Sequence, residues 1–494
     1  MKGRELRRRA MRWLTLAHRW LGIGTCLLFA MWFASGLVMM YVPFPALTGA
    51  ERLAGLEPID WRAVRWSPDD VMRLAGLSEY PRELRLEMMA GEPVWRLRPA
   101  GAPWQVISAV DGRKIEAIEE GEALAIARAF SGSAGARLDA LLERDQWTVA
   151  GTYHPHRPLY RVAIGDAAGT HLYVSSRTGE VVLDTGARER AWNWAGSVVH
   201  WLYFTALRAN QPLWRQVVLW VSAVGIVVAL SGVWLGIARL RWRGRIAGQP
   251  ATPYRGWMAW HHVGGLVGGV LVLTWIFSGW LSMGPPVPWT SASPPGGGSD
   301  PRVAYAGNVE PRFGMTLPRL QDLDAYPARQ ARFMWLAGRP QVVLANSVEA
   351  GSTVIDATSG RPRALTDQEL FAAARHLVPD GRPVSMQRLE QEDAYWYTHH
   401  TPRKLPVLRA MFDDPARTWI YIDPETGDVL ARIDRGRRIH RWLFNGLHRL
   451  DFRWLRHNRP AWDIALWSLS AAGLVVSLSG VVIGWRRLRR SLPT

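Results

Sequence analysis

Long apolar stretches alternate with long polar ones along this chain. Four stretches each hold about 20 or more mostly apolar residues, the length needed to cross a hydrocarbon core about 30 Å thick. They are residues 18–42, 213–238, 262–283 and 461–485. The pattern therefore predicts four membrane-spanning helices. The mean hydropathy of the whole chain is only −0.07, because the polar stretches dilute the four spans.

The two long polar stretches carry the strand, turn and helix patterns of α+β domains. The first has β-prone runs at 94–98 and 104–108, a hairpin turn at Asp111-Gly112 and a helical pattern at 120–130, followed by a meander of three strands. The second stretch repeats this order. Its β-prone runs are 341–344, 353–355, 419–422 and 428–430, and its helical pattern lies near 366–377.

The chain contains one unit twice. Between about residue 94 and residue 241, adding 248 to a residue number recovers the same kind of residue, so that His200 corresponds to His448. Near the start the offset is 243, which pairs His18 with His261. Each copy holds two spans, so the pseudo-two-fold axis between the halves should run along the membrane normal. Equivalent residues are then expected to approach each other near this axis.

The net charge of +18 is concentrated in three short segments. Residues 1–12, 239–256 and 486–494 are rich in Lys and Arg, and all three fall on one side of the membrane if the chain crosses four times. The positive-inside rule makes that side the cytoplasm. Both termini are therefore predicted to be cytoplasmic, and the long loops, about 43–190 and 284–440, to lie in the periplasm. With no nucleic-acid motif beside it, the basic charge is interpreted as a topology signal.

These patterns predict an integral membrane α-helical protein with four spans, arranged as two pseudo-two-fold-related halves, and two α+β periplasmic domains. A flexible linker is predicted at 291–300, where Gly, Ser and Pro are enriched. The segments 191–209 and 439–457 are apolar but interrupted by charge, and each is expected to form a short amphipathic helix at the outer membrane face. The predicted divisions are 1–45 for the N-terminus and first span, 46–190 for the first external domain, 191–240 for an interfacial helix and the second span, 241–256 for a cytoplasmic loop, 257–285 for the third span, 286–438 for the linker and second external domain, and 439–494 for an interfacial helix, the fourth span and the tail.

Four of the thirteen histidines form two pairs related by the duplication. His18 and His261 begin the first and third spans, near the cytoplasmic face, whereas His200 and His448 precede the second and fourth spans, near the external face. Neutral imidazole is a common axial ligand of haem iron, and ionisable residues at membrane depth are candidates for function. The pairs predict two b-type haem sites, one on each side of the bilayer.

Two glycines and several other histidines leave alternatives open. Gly22 and Gly265 lie one helical turn beyond His18 and His261, where the missing side chain leaves room either for a flat macrocycle or for helix packing. His262 is an alternative ligand to His261, and His440 is an alternative to His448, although the repeat register favours the first of each pair. The sequence assigns no role to His154, His156, His399 and His400.

Other cofactor classes are disfavoured by the sequence. The single cysteine, Cys26, lies in the first span, which excludes internal disulfides and cysteine-ligated iron–sulfur clusters. No nucleotide-binding loop or nucleophile motif is visible in the sequence. Electrons would therefore arrive from another donor, either a quinol or a cytoplasmic reductase.

Several motifs together resemble the PepSY-associated transmembrane family of iron-regulated bacterial inner-membrane proteins. They are His18-Arg-Trp-Leu-Gly22, His261-His-Val-Gly-Gly265, Leu447-His-Arg-Leu-Asp-Phe452 and the Thr-Gly hairpins of the external domains. The resemblance implies two b-type haems, PepSY-like periplasmic domains, reduction of ferric siderophores to release iron, and a link to TonB-dependent iron uptake. The first copy departs from the pattern, because His200-Trp-Leu-Tyr-Phe204 lacks the Arg and Asp of the second.

The predicted function is that of an inner-membrane di-haem electron-transfer protein. It would act as an oxidoreductase on a ferric siderophore or another ferric chelate in the periplasm. The alternative hypothesis is a haem-free PepSY-type sensor or assembly scaffold that binds a periplasmic partner. A transporter component is disfavoured, because four spans leave little room for a solute path.

Overall fold

The computed structural model of the chain describes residues 2–241, 251–285, 305–307, 309–310, 312–399 and 402–491. In this part of the chain four helices are long and apolar enough to cross a membrane, as predicted. These spanning helices are Lys2–Met39, Gln211–Arg239, Trp257–Ser282 and Arg459–Ser491. The first begins well before the apolar stretch that predicts it, because the preceding basic residues are good helix formers and continue the same helix. The predicted linker at 291–300 lies outside the described residues.

The spanning helices pack as a ring in which the first helix contacts the second and fourth, and the third does the same. The first and third helices therefore occupy opposite corners. Both ends of the described chain, the last turn of the second helix and the first turn of the third lie at one end of the bundle, here called the terminal side. The β-sheets lie at the other end, the domain side. An apolar core that includes Phe29, Phe33, Val272 and Ile276 fills the middle of the bundle.

Fifteen strands in the described residues form three sheets. The strands are β1 Glu83–Met89, β2 Glu92–Arg98, β3 Gln105–Ser108, β4 Lys114–Ile115, β5 Arg137–Leu142, β6 Leu159–Ala163, β7 His171–Ser175, β8 Val181–Thr185, β9 Gln330–Leu336, β10 Arg339–Ala345, β11 Ser352–Asp356, β12 Pro383–Leu389, β13 Val407–Phe412, β14 Trp419–Ile422 and β15 Val429–Ile433. Strand order is β11-β10-β9-β1-β2-β3-β4 in the largest sheet, β5-β6-β7-β8 in the second and β12-β13-β14-β15 in the third.

The seven-stranded sheet contains strands from both external segments. β1 pairs antiparallel with β9, so that Arg85 lies opposite Arg332 and Glu87 lies opposite Gln330. An apolar core with Trp95 and Phe333 at its centre backs this sheet and packs against short helices from both segments. These helices are Trp61–Ala63, Pro68–Leu74, Leu317–Gln321 and Asp322–Ala325, whereas Gly49–Gly55 contacts the helix Glu120–Ser131. The pairing therefore joins the two external segments through one sheet and one core.

Each four-stranded sheet packs against one helix, Glu120–Ser131 for the second sheet and Asp367–Ala374 for the third. A three-stranded meander was expected after the helix of the first segment, and strands at 419–422 and 428–430 after the helix of the second. The structure adds β5 in the sheet of the first segment, and β12 and β13 in that of the second. The side chains of β5 and β12 are mostly exposed or half-buried at the sheet edge, and both strands are poor in the β-branched and aromatic residues that mark a strand in sequence.

The segments that lead into the second and fourth spanning helices each consist of several short helical pieces, where single short helices were expected. Each consists of an α-helix, a π-helical stretch, a turn and one more helical turn. The helices are Ala187–Asn193, Trp194–Val198 and Thr205–Arg208 in the first segment, and Arg435–His440, Arg441–Gly446, Leu447–Arg449 and Arg453–Arg456 in the second. Leu202 and Leu450 interrupt the helices with a left-handed backbone, φ 52° at both residues. In each segment the interruption follows the candidate histidine by two residues.

Candidate functional site

The bundle brings His18 and His261 together on its terminal side. Their ring centroids are 6.3 Å apart and their planes are inclined by 44°. His18 belongs to the first spanning helix and His261 to the third, which occupy opposite corners of the ring. The pair therefore lies across the interior of the bundle, with one member from each half of the chain.

His200 and His448 form a second pair on the domain side. Their ring centroids are 6.2 Å apart, and the planes are nearly perpendicular at 77°. Each follows a π-helical stretch, a departure from regular helix that is frequent at functional sites. The Nε1 of Trp32 donates to the carbonyl oxygen of His200 at 2.9 Å and so ties this segment to the first spanning helix.

Every one of the four imidazoles has its Nδ1 beside a serine hydroxyl of a neighbouring helix. The Nδ1 to Oγ distances are 3.1 Å for His18 and Ser231, 3.2 Å for His261 and Ser479, 3.0 Å for His200 and Ser35, and 3.0 Å for His448 and Ser278. Each serine hydroxyl donates to a carbonyl oxygen of its own helix. The hydroxyl oxygen must therefore accept from Nδ1–H, which assigns the proton of each neutral ring to Nδ1.

The Nε2 atom of each ring consequently carries no proton, and its lone pair is available to coordinate a metal ion. No hydrogen bond within the described residues involves Nε2 of these four histidines. Metal-ligating histidines usually donate their other ring N–H to a neighbouring oxygen in this way, which fixes tautomer and orientation. Both pairs thus have the hydrogen bonding expected of metal ligands.

A glycine follows each of these serines and lies against the same ring. A Cβ on Gly232 would come within 2.8 Å of His18 Cε1, closer than real Cβ contacts allow. The corresponding distances are 3.5 Å for Gly36 and His200, 3.6 Å for Gly279 and His448, and 3.5 Å for Gly480 and His261. The Ser-Gly dipeptide is therefore called a cradle, in which the hydroxyl orients the imidazole and the glycine lies against it. Only Gly232 is too close to its ring to carry a side chain, because the other three distances are ordinary van der Waals contacts. Four Ser-Gly dipeptides at repeat-related positions were a visible signal of this role, but their pairing with the histidines depends on the packing of different helices.

A cavity surrounds each pair. The terminal-side cavity measures about 620 Å³ and includes Gly22 and Gly265 in its wall, while the domain-side cavity measures about 320 Å³. Both volumes lie in the range of about 300–1,000 Å³ typical of small-molecule and cofactor sites. A Cβ on Gly265 would meet nothing within 4 Å, and one on Gly22 only Val228 at 3.9 Å. Phe29 lines both cavities, so its ring is part of the wall between them.

The ring separations suit a single metal ion held from both sides. A histidine nitrogen lies about 2 Å from a bound first-row metal ion, so two opposed bonds plus the ring radii place the centroids about 6 Å apart. No group of three or more His, Cys, Asp or Glu that could hold a bare ion occurs in the described ranges. Two histidines with an adjoining cavity fit the axial positions of a planar macrocycle, whose own nitrogens complete the coordination.

The alternative ligands are less suited to the task. His262 lies in the wall of the terminal-side cavity, but its Nδ1 is 2.8 Å from Thr252 Oγ1 and its Nε2 is 2.9 Å from the Gly236 carbonyl oxygen. Both of its ring nitrogens are therefore occupied. His440 contacts Phe444 with the ring centroids 5.5 Å apart and the planes inclined by 36°, and it does not line either cavity.

The remaining histidines lie in the external segments. His156 approaches Glu180 at 3.8 Å, and His399 Nδ1 is 3.2 Å from Asp451 Oδ1. His154 is exposed and contacts Arg157. His400 lies outside the described residues. None of the three described histidines lines a cavity with the two pairs.

No family model and no curated protein matches this chain. The resemblance to the PepSY-associated family therefore remains a prediction that depends on the quoted motifs. The functional assignment has to be argued from the two histidine pairs and their cradles.

Proposed function

We propose that the chain is a di-haem electron-transfer protein of a bacterial inner membrane that reduces a ferric siderophore, or another ferric chelate, in the periplasm. The observation that carries the proposal is the repeated geometry of the two histidine pairs. Each pair has ring centroids 6.2–6.3 Å apart, Nδ1 held by a serine and Nε2 left for a ligand. Two such pairs on opposite sides of one bundle suit an electron path across a membrane.

His18 and His261 would hold one b-type haem, and His200 and His448 the other. A haem with two histidine ligands supplies one-electron chemistry and keeps no open position for oxygen. The chain's own contribution is to fix the four imidazoles through Ser231, Ser479, Ser35 and Ser278. The apolar core of the bundle also forms part of both cavity walls, through Phe29 and Val272 on the terminal side and Phe29, Phe33 and Ile276 on the domain side.

The proposed arrangement places two pseudo-two-fold-related halves around an axis along the membrane normal. Each histidine pair combines one residue from each half, and β1 and β9 pair so that Arg85 and Arg332, which hold similar places in the two halves, lie opposite each other. The basic segments at the terminal side assign that side to the cytoplasm. The PepSY-like domains would then stand in the periplasm above His200 and His448, where a ferric chelate has access.

The proposal is tested on the full-length protein purified in detergent or nanodiscs. We expect a reduced-minus-oxidised spectrum of b-type haem, a pyridine-haemochrome yield of two haems per chain, and reoxidation of the reduced protein by a ferric siderophore in stopped-flow measurements. A colourless protein after expression with sufficient haem would overturn the haem assignment. Haem without reoxidation by any ferric chelate would overturn the substrate assignment alone.

The cradle glycines provide a graded test of the terminal-side pair. Gly232→Ala is expected to displace the His18 ring, because the added Cβ would lie only 2.8 Å from Cε1. We expect haem occupancy of that site to fall by at least about half, with an altered low-spin signal in electron paramagnetic resonance. Gly24→Ala, on the first spanning helix, is the matched control, since its Cβ would meet nothing within 4 Å and Gly24 does not line the cavity. Equal haem content and equal spectra for the two variants would contradict the cradle.

A further inference from the structure

Arg208 is a buried cation without a counter-ion. Its side chain ends the short helix Thr205–Arg208 on the domain side, and the residue is only 7 % exposed. The guanidinium lies over the rings of Tyr203 and Trp214, with Cζ at 5.0 and 4.7 Å from their centroids. Its Nε has no hydrogen-bond partner, and no ion pair forms with it in the part of the chain that the structure describes. Burial of an unpaired charge is costly, so this arrangement calls for an anion.

Two further arginines converge on the same place. Arg157 is 5 % exposed, and its Nε also lacks a partner. Its Nη1 lies 3.2 Å from His154 Nδ1, and its Nη2 donates to the carbonyl oxygens of Thr148 and Ala150. Arg144 donates to the carbonyl oxygen of Ala209, the residue after Arg208, at 3.2 Å. Partial burial lowers the pKa of His154, and Arg157, Arg144 and Arg208 lower it further. The three positive charges are thus close enough to act on one imidazole.

The carboxylates near this group do not neutralise it. Glu143 acts on Arg157 electrostatically, but its side chain is exposed. Asp145 is already engaged, since it accepts from Tyr173 at 2.7 Å and from Arg161 at 3.3 Å. Three cations therefore share this place with one exposed carboxylate among the described residues.

The second half of the chain has the same architecture with the charge balanced. Arg456 occupies the position 248 residues after Arg208, and its guanidinium lies 4.3 Å from the Tyr397 centroid. Its Nη1 donates to Glu392 at 2.8 Å. Glu392 in turn corresponds to Arg144. The first half therefore carries a cation where the second half carries the neutralising acid, so that a half-buried ion pair is replaced by a cluster of like charges.

We propose that Arg144, Arg157 and Arg208, here called the arginine cluster, bind an oxyanion, a carboxylate or phosphate group, from outside the chain. A guanidinium group can donate two parallel hydrogen bonds to two oxygens of a carboxylate or phosphate, and these bonds are charge-assisted. Tyr203 and Trp214, which lie under Arg208, also line the domain-side cavity. The three arginines are not among the residues that line this cavity, so Tyr203 and Trp214 would separate a bound oxyanion from the His200 and His448 pair.

We assign the oxyanion to a carboxylate of the ferric chelate, and this identification rests on the proposed function. The cluster would hold the anionic chelate beside Tyr203 and Trp214, which contact Arg208 and line the domain-side cavity. The site itself does not depend on haem, because the arginines and their missing counter-ion belong to the protein alone. Carboxylate-bearing chelates should accordingly be favoured over neutral ones.

The test uses the full-length protein in nanodiscs of neutral lipid, with citrate and ferric citrate as probes in calorimetric titration. We expect one citrate per chain, and a loss of affinity of about 10- to 100-fold in Arg208→Gln, the range for a charged hydrogen bond. Arg144→Glu should abolish binding without removing Arg208, because it recreates the balance of the second half. Arg459→Gln is the control, since Arg459 is exposed and pairs with Asp463. Citrate affinity unchanged in both cluster variants would overturn the proposal.

Further measurements on the same proteins distinguish two other sources of the oxyanion. If phosphatidylglycerol in the nanodisc displaces citrate from the wild-type protein, a lipid phosphate occupies the cluster and the chelate assignment falls. If citrate does not bind and Arg208→Gln loses haem, the cluster serves the cofactor's own carboxylates, and the proposal is overturned. Citrate binding that depends on Arg208 in a haem-free protein would retain the site and refute the proposed function. If the Michaelis constant for ferric citrate is unchanged in Arg208→Gln while haem reduction is intact, the proposed function would stand and the arginine cluster would be refuted as the chelate site.

Discussion

Replacement of His200 by alanine is expected to lower the haem content from two equivalents per chain to one. The substitution removes one Nε2 ligand of the domain-side pair, and no other described histidine lines that cavity besides His448. The terminal-side pair lies at the opposite end of the bundle and keeps its own serine hydrogen bonds. Its haem should therefore stay bound with an unchanged spectrum. The pyridine-haemochrome yield per chain gives the result directly.

The pairing itself is tested by combining substitutions. Because His200 and His448 would share one haem, the double variant His200→Ala/His448→Ala should lose no more than either single variant, which is the non-additivity expected of two residues acting on one site. His18→Ala combined with His200→Ala should lose both equivalents. His440→Ala is the control, and two equivalents should remain there. A single variant that retains both haems, or loses both while still folded, would show that the pairs are wrongly assigned.

The spans and the paired histidines could be predicted because both depend on short-range or repeated features. An apolar stretch of sufficient length forms a spanning helix almost wherever its neighbours lie. The offsets of 243 and 248 between the copies then select His18, His200, His261 and His448 from the thirteen histidines. That the members of each pair stand about 6 Å apart became visible only in the structure.

The Ser-Gly cradles could not be assigned from the sequence, although the dipeptides themselves stand out. Ser231 holds His18 from the second spanning helix, whereas Ser35 holds His200 from the first. The serine that serves each histidine therefore depends on helix packing between positions at least 165 residues apart. Neither periodicity nor the repeat offset contains that information.

The joined seven-stranded sheet was also beyond sequence reasoning. β1 has charged residues at alternate positions, including Arg85 and Glu87, a pattern typical of a solvated strand face. In the structure Glu87 is 0 % exposed, because arginines from elsewhere neutralise it. Its pairing with β9 brings together residues about 240 positions apart, and no local pattern reports such a contact.

Glu87 lies at the centre of this buried network. After the paired histidines, it is the position at which a substitution is expected to have the largest effect. Its Oε1 accepts from Arg52 and from Gln330 at 2.6 Å each, and its Oε2 accepts from Arg96 at 3.2 Å. Gln330 lies on β9, so the carboxylate links the two external segments. Burial by itself would raise the pKa of Glu87, but Arg85, Arg52 and Arg96 together lower it well below its usual range. The carboxylate is thus ionised in the folded protein.

Glu87→Gln is expected to destabilise the joined sheet by about 3–5 kcal/mol, because removal of one partner leaves buried guanidinium groups without compensation. Hydrogen exchange of the β1 and β9 amides in the full-length protein measures the local opening free energy. Glu83→Gln, on the same strand, is the matched control. Glu83 pairs with Arg98 at 3.2 Å in a partly exposed site, and such pairs contribute about 0–1 kcal/mol.

The same network predicts how the joined sheet responds to acid. A carboxylate whose pKa is lowered on folding contributes stability above its unfolded pKa of about 4.3, and this contribution is lost as the pH falls toward the folded value. Exchange at β1 and β9 in the wild-type protein should therefore accelerate progressively below about pH 4.3, while Glu87→Gln should show a weaker dependence. The remaining dependence would come from Glu180, whose pKa is about 2 because Arg85 and Arg96 outweigh the effect of its burial. Identical acid dependence in the two proteins would mean that ionisation of Glu87 does not control the stability of the β1–β9 pairing. In that case the pairing of β1 with β9 and the apolar core around Trp95 and Phe333 would hold the two external segments together without a contribution from this carboxylate.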